Sequence, residues 1–202
     1  MPRRRSYDQY CAAARALDAV GDRWTLLIVR ELLTGPRRYT DLHADLPGVS
    51  TDMLAGRLKE MEGAGLVTRR RLPPPVPAHV YELTERGRAL LPVLRALAEW
   101  GAPALDEPRP TDAVRAHWLA LPLLGPLEAA RGPGVVQVDL DEGPFHVRTG
   151  EDGGAGYGDG PAQAADARVR TDLATCRALA AGELTLAEAV VAGRAVVDEP
   201  SP

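Results

Sequence analysis

Long hydrophobic runs are missing. No stretch of the 202-residue chain approaches the roughly 18 uninterrupted apolar residues that a membrane-spanning helix needs. The start, MPRRRSYDQY, is basic but has no apolar segment behind it, so it does not read as a secretory signal. A cytoplasmic protein with no membrane partner is expected. Cysteine is scarce as well: Cys11 and Cys176 are the only two, too few for a disulfide framework or a thiolate metal cluster. H-E-x-x-H, a Walker loop and a nucleophile elbow are all absent. His43, His79, His117 and His146 stand singly, with no cysteine or carboxylate cluster beside them at ligand spacing, and read as surface or wing residues. Neither catalysis, a cofactor nor a metal is expected. Lysine is reduced to Lys59 among 24 cations.

What is present is a core-forming composition, 45% hydrophobic, and a charge that divides along the chain. Residues 1–100 hold 16 Lys/Arg against 12 Asp/Glu, a net +4. Residues 101–202 hold 8 against 16, a net −8. Such asymmetry suggests a basic binding module joined to an acidic one with another task.

In the basic half, residues 10–20 carry Ala14, Leu17 and Val20 at helical spacing, and Gly21-Asp22 ends that helix. Trp24, Leu27, Ile28, Glu31 and Leu32 form a second helix, stopped by Gly35-Pro36. Residues 39–46 make a short third helix, and Pro47-Gly48 is the turn before a fourth over 50–64. Ser50, Thr51 and Asp52 supply cap-type residues there. Leu54, Leu58 and Met61 form one apolar stripe. Asp52, Ala55, Gly56 and Lys59 cluster opposite, a small-residue face that fits the DNA major groove. Residues 66–72 then alternate like a strand through Arg69, Arg70 and Arg71. The prolines over 73–77 force a turn, and 79–83 returns as a second strand. A basic hairpin after such a helix is the wing of a winged helix-turn-helix. Arg69, Arg70 and Arg71 suit phosphates, as do Arg37 and Arg38 before the third helix. Thr84 is expected to cap a long helix whose leucines, Leu90, Leu91, Leu94 and Leu97, exceed the needs of a small core and suggest a dimer seam.

These residues carry a resemblance. Residues 10–101 resemble the HxlR-type transcriptional regulators, relatives of the MarR group. The matching stretches are Cys11 before Ala16–Ile28, then Gly35–Leu42, Leu54–Met61, Gly65–Val67 and Tyr81–Thr84. The resemblance implies a homodimer on a near-palindromic operator in double-stranded DNA, with one recognition helix per half-site. Ser50, Thr51, Asp52, Ala55, Gly56, Arg57 and Lys59 would then serve the groove. It also makes Cys11 the position of a sensing thiol. The family commonly has Cys-Pro there, whereas Ala12 follows Cys11, so a packing role at the dimer seam stands beside the redox one.

Residues 103–110 read as a proline- and acid-rich linker. An amphipathic helix is expected over 112–130, interrupted by Pro122, followed by a hairpin of 135–140 and 144–149 joined at Glu142-Gly143. A flexible glycine-rich loop is expected over 150–160. Arg168–Arg170 reads as a strand, 172–181 and 185–192 as helices, and 194–198 as a closing strand. Ala167–Leu173, Leu179–Leu184 and Ala187–Arg194 resemble the sterol-carrier-protein-2-like domain fused to some HxlR-type regulators. That resemblance implies an α/β domain taking a small apolar ligand. Pro202 follows the last strand at once, where the family has a closing helix, so the pocket is open, reshaped or absent. The expected architecture is α+β: a winged helix-turn-helix over 1–102, a linker over 103–110 and an α/β sensory or interaction domain over 111–202. The expected function is a DNA-binding repressor. The alternatives are a thiol redox sensor through Cys11 and a C-terminal half that only dimerises.

Overall fold

The helix at the centre of the basic half runs from Thr51 to Gly63 in the computed structural model, which describes residues 6–73, 78–105, 108–150 and 156–199. The chain divides into two compact units, 1–90 and 91–202.

In the first unit, α1 (Ala12–Val20), α2 (Thr25–Leu33), β1 (Arg37–Arg38), α3 (Tyr39–Asp45) and α4 (Thr51–Gly63) are followed by β2 (Val67–Arg71), β3 (His79–Leu83) and α5 (Glu85–Arg88). The Ser50 hydroxyl accepts from Met53 N–H at 3.3 Å, capping α4 as its sequence requires. Leu54, Leu58 and Met61 are buried with Ile28, Val29, Leu42, Leu66 and Leu83. At the other end Gly65 takes φ +67°. Its N–H donates to the Glu62 carbonyl and Leu66 N–H to that of Met61, both at 3.0 Å. This pair of bonds is a Schellman closure, which favours glycine at that position. Tyr39 donates its hydroxyl proton to the Thr51 carbonyl at 2.8 Å and so ties α3 to the start of α4.

The wing is a three-stranded sheet in the order β1-β3-β2, all antiparallel. Arg37 and Arg38, expected as plain chain before the third helix, pair with Tyr81 and Val80. A two-residue strand has no periodicity by which a sequence could announce it. The expected turn at 74–77 lies outside the described residues. The long helix after Thr84 is corrected. Thr84 caps only the four-residue α5, accepting from Gly87 N–H at 3.1 Å, and α6 starts anew at Leu91 (Leu91–Gly101). Pro92 explains the break, since it donates no N–H and disfavours helical backbone at the residue before it. Gly87 lets α5 lie on the wing: a Cβ there would collide with the Leu66 carbonyl oxygen and lie 2.9 Å from Leu83 Cδ2.

The second unit continues from α6 through α7 (Ala120–Arg131), β4 (Gly134–Leu140), β5 (Gly143–Thr149), β6 (Gly156–Asp159), β7 (Ala167–Arg170), α8 (Leu173–Ala180), α9 (Leu186–Val191) and β8 (Val196–Asp198). The sheet order is β6-β5-β4-β7-β8, with β4 and β7 parallel and the other neighbours antiparallel. α7 buries Leu121, Leu123, Leu124 and Leu127, and the sheet contributes Val136, Val138, Phe145, Val147 and Val169. α6 packs on α7, where Arg95 reaches Glu128 at 3.5 Å and a Cβ on Gly125 would lie 3.1 Å from Arg95 Nη2.

Three further expectations change here. The helix expected from residue 112 begins as a 3₁₀ turn at Ala116–Leu119 and becomes α-helical at Ala120. Pro122 therefore falls in its first turn, where no N–H is needed, and does not interrupt it. The glycine-rich stretch yields a strand, β6, with Gly158 opposite His146. A Cβ on Gly158 would collide with the His146 ring, so glycine is what allows these strands to pair. The sequence pattern misses this because glycine weakens a strand signal. His117, expected at the surface, is buried in the 3₁₀ turn against β5 and β6, its Nδ1 3.4 Å from Asp159 Oδ1.

Cys176 is fully buried on α8. Burial, then the Asp172 and Glu142 carboxylates, push its thiol up to about 12 from 9.0. The neutral thiol is thus the form that folds. Its contribution to stability is complete below pH 9.0 and is lost as pH rises toward about 12. Cys11 is exposed. At about pH 8 a thiol reagent is expected to modify Cys11 alone in the folded protein, and Cys176 only in denaturant. Equal reaction of both in the folded state would contradict the burial of Cys176.

Candidate nucleic-acid interface

α4 presents one side outward. Thr51, Asp52, Ala55, Gly56 and Lys59 are all exposed, with Leu54, Leu58 and Met61 buried behind them. Gly56 meets nothing: a Cβ there would have no atom within 4 Å. A mid-helix glycine costs about 0.5–1 kcal/mol relative to alanine, and no packing within the fold requires it. Its use is therefore to leave the outer face low. Met53 stands at the flank of this face, 51% exposed, a residue the sequence pattern did not single out. Ser50 is spent on the cap.

The arginines divide into two groups. Arg37 is turned inward, its guanidinium donating to Thr34 Oγ1 at 2.9 and 3.1 Å and lying 3.4 Å from Asp45. Arg70 pairs with Glu82 at 3.2 Å across the wing. Arg57 pairs with Asp22 and Glu60, each at 2.6 Å. Arg38, Arg69 and Arg71 are exposed, and so is Arg70 in spite of its pair with Glu82, its side chain 47% exposed. The Arg69 guanidinium lies 6.0 Å from the Tyr81 ring centroid, opposite it in the β2–β3 register. That stacking holds a flexible side chain extended along the wing. Charge, backbone geometry and a low outer face together suit the positions that phosphates and base edges occupy in a groove.

Cys11 is the N-cap residue of α1, but its side chain makes no capping bond. Of the tryptophans, Trp24 is buried and Trp118 half-buried. His43 stacks on Tyr39 with centroids 6.3 Å apart. His79 is exposed at the wing's second strand. His146 Nδ1 lies 3.1 Å from the Gly160 carbonyl oxygen. Among the described residues no group of three or more His, Cys, Asp or Glu could hold a metal ion, and no helix is long and apolar enough to cross a membrane.

Residues 19–108 match the HxlR-like helix-turn-helix family. An uncharacterised HTH-type transcriptional regulator of Bacillus subtilis, YvaP, is 38% identical over 92 residues, which make up 46% of this chain and 85% of that one. The B. subtilis HTH-type regulator YodB is 39% identical over 85 residues, 42% of this chain and 76% of that one. Among solved structures, a MarR-family transcriptional regulator of Porphyromonas gingivalis matches at 31% identity and a TM-score of 0.46, covering 50% of this chain and all of the other. The residues matched by the family, 19–108, include α4, β2 and β3, and the chain belongs to the HxlR-like helix-turn-helix family, a family of DNA-binding transcriptional regulators and not of enzymes.

Proposed function

We propose that the protein is a homodimeric repressor that lays one α4 in the major groove at each half of a near-palindromic operator. The observation that carries this reading is the outer face of α4, where Thr51, Asp52, Ala55, Gly56 and Lys59 are exposed and Gly56 has no packing role. Thr51, Asp52 and Lys59 read base edges, and Met53 offers an apolar surface to thymine methyl groups. Arg38, Arg69 and Arg71 hold phosphates. Dimerisation is supported by α6, whose Val93, Leu97 and Trp100 lie at i, i+4 and i+7 and are exposed, Trp100 by 83%. A stripe of that spacing on a helix is suited to a partner helix. In this reading 1–102 binds DNA and dimerises, 103–110 links, and 111–202 is the sensory or interaction half.

The C-terminal half carries a net −8, which repels phosphates. Its resemblance to sterol-carrier-protein-2-like domains supports a small apolar effector acting there. Such an effector must favour one arrangement of the DNA-binding pair over another, since equal affinity for both shifts nothing. Operator affinity left unchanged by a panel of apolar metabolites would leave the half a purely dimerising module.

A second reading, thiol sensing, rests on the exposure of Cys11 at the start of α1. Diamide would then release DNA from the parent protein and not from Cys11→Ser. Equal release, or none, from the two proteins leaves Cys11 a packing role.

For the principal reading, Arg69→Ala and Arg71→Ala are expected to weaken binding to every sequence and to lower the salt slope by about 0.9 for each phosphate that is no longer neutralised. Arg70→Ala should do less, because Glu82 already holds that guanidinium. Asp52→Ala and Lys59→Ala should change the preferred sequence, with losses of about 1–3 kcal/mol at the positions they read. Binding titrations on a selected operator and a scrambled duplex at several salt concentrations check both. Parent-like behaviour of all these variants would remove α4 and the wing from the interface.

A further inference from the structure

Arg57 lies on the helix assigned to the groove, yet its side chain is only 21% exposed and faces the protein. Nη2 is 2.6 Å from Asp22 Oδ2, and Nη1 donates to Glu60 Oε2 at 2.6 Å. These are charge-assisted bonds at the short end of their range. Glu60 stands on α4 itself and is 60% exposed, so its bond fixes only the Arg57 rotamer. Asp22 stands elsewhere, in the junction between α1 and α2, and is 31% exposed. Its other oxygen, Oδ1, accepts from Trp24 N–H at 2.9 Å. The junction is itself fixed, with Gly21 N–H donating to the Leu17 carbonyl at 2.8 Å and a Cβ at Gly21 excluded by that same oxygen at 2.6 Å.

The bonds to Arg57 do something the apolar stripe cannot. Burial of Leu54, Leu58 and Met61 keeps α4 on the core, but apolar attraction is non-directional and constrains rotation about the helix axis weakly. A short ion pair on the flank, between a helix and a braced junction, is directional. Base readout depends on hydrogen-bond geometry with tolerances of a few tenths of an ångström.

We propose that Arg57 is a positioning residue for sequence readout, clamped to Asp22 so that α4 meets the groove at one rotation, and that it does not bind a phosphate. This rests on the DNA-binding reading above. It reassigns to specificity a residue whose type and helix would otherwise place it among the groups that hold the DNA backbone. It also gives Asp22, which lies far along the chain from α4, a role in discrimination between sequences.

The test uses the full chain, with Arg57→Gln, Asp22→Asn, the double variant and, where Arg57→Gln does not fold, Arg57→Lys. Affinity is measured for a selected operator and for a random duplex across a range of salt. Each single variant should bind the operator about tenfold more weakly, as when one base-reading group is misplaced, with affinity for the random duplex and the salt slope kept. The double variant should be no worse than either single, because both remove one interaction. Asp22→Asn is the sharpest arm. It removes a negative charge, so net charge alone predicts tighter binding, whereas the clamp predicts weaker operator binding. Operator affinity equal to or above that of the parent for Asp22→Asn overturns the proposal. So does an Arg57→Gln variant that weakens both DNAs equally and lowers the salt slope by about 0.9.

Amide hydrogen exchange without DNA separates the clamp from the DNA reading. Residues 54–61 should exchange faster in both single variants, with the strands of the wing unchanged. Unchanged exchange there overturns the clamp. Faster exchange in a protein that retains no DNA keeps the clamp as a brace for α4 and overturns both its role in readout and the DNA reading.

Discussion

The burial of one stripe of α4 decides which residues this protein can offer to DNA. Leu54, Leu58 and Met61 are buried, each contributing about 1.5–3 kcal/mol as an upper estimate for a fully buried apolar side chain. Partly exposed ion pairs such as Arg57–Asp22 contribute about 0.2–1 kcal/mol. The stripe therefore holds the helix on the core and sets only coarsely which side faces outward. The smaller polar terms then act on what is left undetermined: the Ser50 cap sets where the helix starts, the Gly65 closure where it stops, and the flanking ion pair its rotation. Once those are set, the short side chains at 51, 52, 55 and 56, and the longer one of Lys59, face outward.

Charge follows the same division. Six arginines stand in or beside the candidate interface, and the fold pairs three of them with carboxylates: Arg37 with Asp45, Arg57 with Asp22 and Glu60, Arg70 with Glu82. Of these three only Arg70 is exposed, together with Arg38, Arg69, Arg71 and Lys59. The exposed cations of the proposed interface are thus fewer than a count suggests, and they stand at the start of α3, on the outer face of α4 and along β2. The salt dependence of binding should reflect those positions and not the whole basic half.

Much of this was legible in the sequence because the signals were local. The cap at Ser50, the glycine at 65, the period of Leu54, Leu58 and Met61, and the alternation of β2 each involve residues within one or two turns of one another. What escaped was set by partners distant in the chain. Whether Arg57 faces solvent depends on Asp22, 35 residues earlier, and the local pair with Glu60 does not announce that. β6 was hidden because its Gly158 makes room for His146 on another strand. As a histidine standing singly, His117 reads as a surface residue, yet the packing of its 3₁₀ turn against β5 and β6 buries it. The break before α6 was the exception, since Pro92 was visible and the leucine periodicity outweighed it.

The claim on which the rest turns is that α4 of each subunit enters the major groove. Methylation interference on a selected operator measures this most directly, because methyl groups at guanine N7 obstruct the major groove and those at adenine N3 the minor. Two symmetric clusters of interfering guanines, about 10 base pairs apart centre to centre, are the result expected of a dimer with one α4 in each half-site. Interference confined to adenine N3, or a single cluster with no symmetric mate, would contradict it.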